Sequence, residues 1–329
     1  MSRTILVTGG AGYIGSHACK ALARAGYRPV VYDNLSRGHR EAVRWGPFIE
    51  GDLADRDRLI AALRRERVDA VMHFAAYAYV GESVRDPSLY YQNNLGGSLA
   101  LLDSMRAAEV GQIVFSSTCA TYGNPETVPI GEDARQLPIN PYGETKLAIE
   151  RALRWYGEAY GLRSVALRYF NAAGADPDGE VGEAHDPETH LIPLAVETAL
   201  GRRDCLEVYG TDYPTPDGTA VRDYIHVQDL AEAHVRALAH LDAGNASLVL
   251  NLGTGRGYSV REVIAATEAQ AGRPVTRRET PRRPGDPPVL VADPTRAQTI
   301  LGWRAQISDL ATIIRTALAW HERRTHQPG

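Results

Sequence analysis

Cysteine is scarce in this chain. Cys19, Cys119 and Cys205 are the only three in 329 residues. They are an odd number, lie far apart, and show neither a CxxC nor metal-ligand spacing, which excludes a disulfide framework and fits a reducing compartment. No set of residues stands out as metal ligands, so no metal site is expected. No apolar run approaches the ~20 residues of a membrane span, and Met1-Ser2-Arg3-Thr4 enters strand-like sequence at once, leaving no room for a signal sequence. The expectation is a cytoplasmic protein with no membrane partner. An excess of charge is missing too: 36 basic and 40 acidic residues give a net charge of −4, no field for nucleic acid. Internal repeats and low-complexity linkers are also absent.

What is present is enough apolar sequence, 44%, to fill one large α/β unit or two lobes. Strand-like runs recur at 4–8, 29–33, 69–74, 112–117 and 163–169. Between most of them lie stretches of helical period, at 55–66, 88–109 and 143–160. That alternation predicts a parallel sheet with helices on both faces, a doubly wound Rossmann-like α/β fold. After Asn171 the sequence becomes turn-rich, and prolines recur from 281 to 294. The expected division is residues 1–170 as a nucleotide-binding domain, rejoined by a helix and a strand within about 223–254. A smaller, discontinuous substrate lobe takes most of 171–329.

The segment Thr8-Gly9-Gly10-Ala11-Gly12-Tyr13-Ile14-Gly15 lies between the apolar run Ile5-Leu6-Val7 and a helix-like stretch from Ser16 to Arg24. Glycines here permit a tight strand-to-helix turn and let N–H groups approach a pyrophosphate at the helix N-terminus. A second apolar run ends in Asp33, 18 residues after Gly15. A carboxylate there accepts hydrogen bonds from ribose hydroxyls and repels a 2′-phosphate, so NAD is expected over NADP, with Arg37 able to soften the choice.

Asn140-Pro141-Tyr142-Gly143-Glu144-Thr145-Lys146 opens a helix, Asn140 as its cap and Pro141 at its first position. Tyr142 and Lys146 then share a face. A free tyrosine is a poor base at neutral pH, but an ammonium and a positive nicotinamide ring both favour its phenolate. Ser116-Ser117-Thr118 would bring hydroxyls to the carboxyl end of the sheet, where a sugar oxygen can be bound.

With the glycine loop, Asp33, the hydroxyl-bearing strand end and Tyr142/Lys146 in this order, the chain resembles the extended short-chain dehydrogenase/reductases. Within them it is most similar to the UDP-glucose 4-epimerase group. The likeness spans nearly the whole chain, including His73-Phe74-Ala75-Ala76, Tyr91-Gln92-Asn93-Asn94, Leu167-Arg168-Tyr169-Phe170-Asn171, Val221-Arg222-Asp223-Tyr224-Ile225-His226 and Pro281-Arg282-Arg283-Pro284-Gly285-Asp286.

The resemblance implies that Gly9, Gly12 and Gly15, with Tyr13 and Ile14, hold the pyrophosphate of NAD, Asp33 and Asn34 the adenosine ribose, and Asp52 and Leu53 the adenine. Phe74, Ala75, Asn93, Lys146 and Tyr169 complete that site. Tyr142, Lys146 and Thr118 would be catalytic. Ser117, Thr118, Tyr142, Asn171, His190, Leu191, Tyr209, Arg222, Arg283, Asp286 and Leu290 would line the UDP-sugar. The implied reaction oxidises C4 to a ketone and returns the hydride to its other face.

His190 stands where some members carry asparagine, and Ala78 where some carry a lysine near the cofactor phosphates. Competing readings are an epimerase of UDP-N-acetylhexosamines or UDP-pentoses, a nucleotide-sugar 4,6-dehydratase, and a silent NAD-binding regulator. The dehydratase would need Thr-Asp-Glu where this chain has Thr118-Cys119-Ala120. Leu290 occupies a position where hexose-restricted members carry tyrosine, which implies a wider sugar pocket. The amphipathic stretches 88–109 and 143–160 suit a two-fold helical interface, so a homodimer is expected.

Overall fold

A computed structural model describes residues 2–283 and 286–324. Pro284 and Gly285 of the proline-rich segment, and the last five residues of the expected lobe, lie outside the described residues. In chain order the first half runs β1 (Thr4–Thr8), α1 (Tyr13–Arg24), β2 (Arg28–Asp33), β3 (Phe48–Glu50), α2 (Arg56–Arg65), β4 (Ala70–His73), α3 (Val80–Arg85), α4 (Pro87–Tyr90), α5 (Gly97–Ala107), β5 (Gln112–Thr118), α6 (Pro141–Tyr160) and β6 (Arg163–Tyr169). The second half adds β7 (Asn171–Ala173), α7 (Leu191–Ala199), β8 (Leu206–Tyr209), β9 (Val221–His226), α8 (Val227–Asp242), β10 (Leu248–Leu252), β11 (Gly257–Ser259), α9 (Val260–Ala271), β12 (Arg277–Thr280), β13 (Val289–Leu290), α10 (Thr295–Leu301) and α11 (Leu310–Arg324).

Seven strands form one parallel sheet in the order β3-β2-β1-β4-β5-β6-β10. Its strands are apolar almost throughout because helices cover both faces. Ile5 and Val7 point into a core with Val31, Met72, Val114, Leu167 and Leu250, under α1 and α8. The intervening Leu6 points the other way, with Val30, Val71, Ile113 and Phe115 under α2, α5 and α6. Each such side chain contributes roughly 1.5–3 kcal/mol by leaving water. The order reverses between β1 and β4, and a crevice at the carboxyl ends there is the usual ligand position in such sheets.

The stretch 88–109 is not one α-helix. Between α4 and α5 the chain makes a π-helical segment, Tyr91–Gly96. The wider turn accompanies the buried Asn94, whose side-chain oxygen accepts from the Tyr77 N–H at 2.8 Å and whose amide donates to the Tyr77 carbonyl at 3.0 Å. Such bulges are frequent at functional sites.

The remaining elements form a smaller layer. β9 pairs with β7, β11 and β13, β8 pairs with β12, and α7, α9 and α11 pack around them. All three cysteines are free. Among the described residues no helix is long and apolar enough to cross a membrane.

Candidate active site

The turn after β1 is built for close backbone approach. Gly9 has φ +72°, and a Cβ on it would lie 2.5 Å from the Ala75 nitrogen; a Cβ on Gly15 would lie 2.2 Å from the Gly9 oxygen. The helix that follows begins at Tyr13, and its N-cap, Gly12, has no side chain to satisfy the first-turn N–H groups. Those donors and the positive end of α1 fit a pyrophosphate. Phe74 and Ala75 are fixed beside the loop, both donating their N–H to the Thr8 carbonyl, at 2.9 and 3.1 Å.

Asp33 ends β2 and ties it to the loop. Its carboxylate accepts from the Ala11 N–H at 3.0 Å and the Leu35 N–H at 2.8 Å. Burial raises its pKa, against those two donors. Each oxygen keeps a second lone pair for a ribose hydroxyl. Asn34 donates to Asp52 at 2.7 Å, and Leu53 is buried beside them. Arg37 is engaged elsewhere: it pairs with Glu82 at 2.8 Å and lies over the rings of Tyr77 and Tyr79 at 5.2 and 5.1 Å. Ala78, between those tyrosines, is exposed.

At the carboxyl end of β5 successive residues face opposite ways. Ser116 shares a 2.5 Å hydrogen bond with the Tyr169 hydroxyl. Ser117 is fully buried and donates at 2.5 Å to Glu150, which also receives Arg168 at 2.6 Å. Ser117, expected at the sugar, is thus a buried anchor of that ion pair. Thr118 points back to the Ser116 side of the strand, and its hydroxyl accepts from the Ala120 N–H at 3.2 Å.

Asn140 caps α6 through the Gly143 N–H at 2.9 Å, with Pro141 in the first turn. Tyr142 follows, half-buried, close enough to Thr118 for that residue to act on its ionisation. Burial raises the Tyr142 pKa well above its usual value, the Tyr169 hydroxyl adds to the rise, and Thr118 opposes it.

Lys146, one turn on, is buried and donates to the Ser116 carbonyl at 2.7 Å, with Phe115 4.9 Å away as a cation–π partner. Burial pulls its pKa down to about 7, Glu150 pulling the other way. Asn93 lies in the π-helical segment and donates to Asn94 at 3.0 Å.

In the smaller layer Asn171 donates to the Asp223 carbonyl at 3.1 Å. Arg222 pairs with Asp286, and Leu290 sits opposite Arg222 in the β13–β9 pair. Leu290 also packs against the cluster of Cys119, Tyr122 and Phe170, next to Thr118. Arg283 lies over the Tyr209 ring at 3.9 Å. Leu191 begins α7, packed on its core.

His190, just before α7, is held by Glu183 and Glu188 at 2.9 and 2.8 Å. Burial would lower its pKa, but the two carboxylates win and hold it above its usual value. Two further features were not legible in the sequence: the Glu150–Arg168 pair behind Ser117, and Asp223, which accepts the N–H groups of Thr254, Gly255 and Ala292. Both join residues distant in the chain.

Comparison with known proteins agrees with this geometry. Residues 5–253 match the family described as the NAD dependent epimerase/dehydratase family. A UDP-glucose 4-epimerase of Rhizobium meliloti (strain 1021) is 56% identical over 98% of this chain and 98% of its own length. The crystal structure of UDP-glucose 4-epimerase from Brucella ovis in complex with NAD superposes with a TM-score of 0.95 at 58% identity, covering 97% of this chain and 98% of that one. A UDP-Glc/GlcNAc 4-epimerase from Campylobacter jejuni superposes with a TM-score of 0.86 at 40% identity, covering 98% of this chain and 100% of that one.

Proposed function

The chain belongs to the NAD dependent epimerase/dehydratase family, and on that footing we propose that it interconverts UDP-glucose and UDP-galactose at C4 with NAD as a retained cofactor. The observation that carries this reading is Tyr142 one turn before the buried Lys146 on α6, with Lys146 bonded to the β5 strand that ends in Thr118, two places from the glycine loop.

The α1 N-terminus would hold the pyrophosphate through Gly12, Tyr13, Ile14 and Gly15, and Asp33, Asn34, Asp52 and Leu53 the adenosine half. NAD bound there would supply a reversible hydride acceptor for C4 of the sugar. Tyr142 takes the proton of the C4 hydroxyl at its phenolic oxygen and gives it back after the ketone has turned. Thr118 orients that hydroxyl. Lys146, with a pKa near 7, supplies a charge that can be directed at the cofactor ribose or at Tyr142. Asn171, Arg222, Arg283 and Asp286 would hold the diphosphate and uridine, His190, Leu191 and Tyr209 would line the same pocket, and the hexose stays free to turn.

A dehydratase needs acid and base carboxylates beside Thr118. Here Cys119 is buried with its thiol pushed up to about 12, and Ala120 has no acid. One observation supports a wider substrate range: Leu290, beside Cys119, is smaller than tyrosine, so N-acetylhexosamines fit the same reading.

The division of labour that accompanies it gives 1–170 and about 223–254 to NAD, and most of 171–329 to the UDP-sugar. Two copies would associate through α5 and α6, whose Leu99, Trp155 and Tyr160 are exposed.

The direct test is to incubate purified protein with a panel of UDP-sugars and no added cofactor. Interconversion of UDP-glucose and UDP-galactose is expected; its absence in protein that contains NAD would overturn the reading.

A further inference from the structure

The segment leading into α7 reads Glu183-Ala184-His185-Asp186-Pro187-Glu188-Thr189-His190. Glu183, His185, Glu188 and His190 each direct a ligand atom to one point, all within 4.8 Å of one another. The Glu183 oxygen lies 2.9 Å from Nδ1 of His185 and 2.9 Å from Nδ1 of His190. Glu188 approaches the same His190 nitrogen at 2.8 Å and that of His185 at 3.9 Å. In a tetrahedral zinc site with bonds of about 2.0–2.1 Å, neighbouring ligand atoms lie about 3.3 Å apart. The observed separations bracket that value.

A second observation points to the same place. Tyr79 is 9% exposed, and its hydroxyl has no hydrogen-bond partner among the described residues. Its ring lies 5.9 Å from that of His185 and 6.3 Å from that of His190. An unsatisfied buried hydroxyl is destabilising, and a water or oxygen ligand on an ion would partner it.

A nearby cluster shows the contrast. Asp176, Asp178 and Glu180 also converge, but Lys20 supplies the cation there, at 2.6, 2.8 and 2.5 Å. Around Glu183 the positive partners are imidazoles, which are themselves ligands.

We propose that Glu183, His185, Glu188 and His190 form a binding site for a divalent metal ion of the zinc class. Two imidazole nitrogens with two carboxylate oxygens suit zinc or cobalt better than magnesium or calcium, which favour all-oxygen sites. Four protein ligands make the site structural. His185 packs edge-on against Tyr13, 6.1 Å away, and Tyr13 opens α1. An ion there staples the 183–190 segment to the helix that carries the glycine loop. This inference does not depend on the proposed reaction.

The test uses full-length protein freed of metal with a chelator. Titration calorimetry with zinc chloride should show one ion per chain, and cobalt chloride should give the intense visible bands of four-coordinate Co²⁺. The unfolding temperature should rise with zinc. Glu183→Gln and His185→Ala should each weaken zinc binding more than tenfold, while Asp178→Asn leaves it unchanged. If Glu183→Gln fails to fold by circular dichroism, His185→Ala and His190→Ala, on less buried side chains, decide. Absence of binding in the parent, or zinc binding that survives both histidine substitutions, would overturn the site.

Discussion

The Lys146 ammonium donates to the main-chain carbonyl of Ser116 at 2.7 Å, one residue along β5 from the serine that binds Glu150. Tyr142, Lys146 and Glu150 follow one another at four-residue spacing on the inner face of α6, so phenol, ammonium and carboxylate form one row against the strand. The row ends in the buried Arg168, which neutralises Glu150. Burial loosens the proton of Lys146, and Glu150 opposes it.

Replacement of Tyr142 by phenylalanine should lower turnover by about 10² to 10⁴, the usual worth of a positioned proton acceptor. The NAD content read from the absorbance of the purified protein should stay near normal. Lys146→Ala should also slow turnover and, unlike Tyr142→Phe, reduce the retained cofactor. Near-normal turnover in Tyr142→Phe would remove the mechanism.

Leu290→Tyr should suppress conversion of UDP-N-acetylglucosamine far more than that of UDP-glucose, since added bulk clashes with one substrate only. Paired kcat/KM measurements for the two sugars decide it. Equal losses would show that Leu290 is wall packing.

Light scattering at micromolar concentration should give twice the chain mass. Trp155→Glu, on a side chain 58% exposed in α6, should shift that mass toward the monomer without loss of helix content. A parent protein already monomeric would exclude the interface.

Acid should unfold the protein through its buried histidines. Burial pulls the pKa of His17 and His234 down to about 4 and of His73 and His226 to about 3. The unfolded chain therefore binds more protons than the native one between about pH 6.5 and pH 3 to 4, and stability falls as pH falls through that window. From pH 7.5 to 5 each group costs on the order of 1–2 kcal/mol, and His190, raised by its carboxylates, offsets one of them. Denaturant midpoints at the two pH values measure the sum; a midpoint unchanged at pH 5 would mean these imidazoles are charged in the native state.

The local features of the site were legible because they are written in short stretches. Glycines at 9 and 15 answer a steric demand within one turn, Asn140 and Pro141 mark a helix start, and the apolar runs show which strands are covered on both sides. What escaped depends on contacts between distant residues. Ser116 and Ser117 look alike in the sequence, yet alternation along β5 sends one to Tyr169 and the other to Glu150. The apolar period of 88–109 persists through the π-helical segment, whose extra width follows Asn94 reaching Tyr77. Glu183 to His190 reads as a polar loop until its backbone folds the four side chains onto one point.

The outermost strand of the central sheet, β10, is the last to be made. Its partner β6 ends at Tyr169 and β10 begins at Leu248, 79 positions later. At a synthesis rate of about 5–20 residues per second, roughly 4 to 16 seconds separate the two on the ribosome. Throughout that interval the side of β6 away from β5 is an unpaired hydrogen-bonding edge, open to a strand from a neighbouring nascent chain. Codon usage between these strands, and chaperone occupancy of the emerging half-sheet, therefore bear on yield in a way the finished molecule does not reveal.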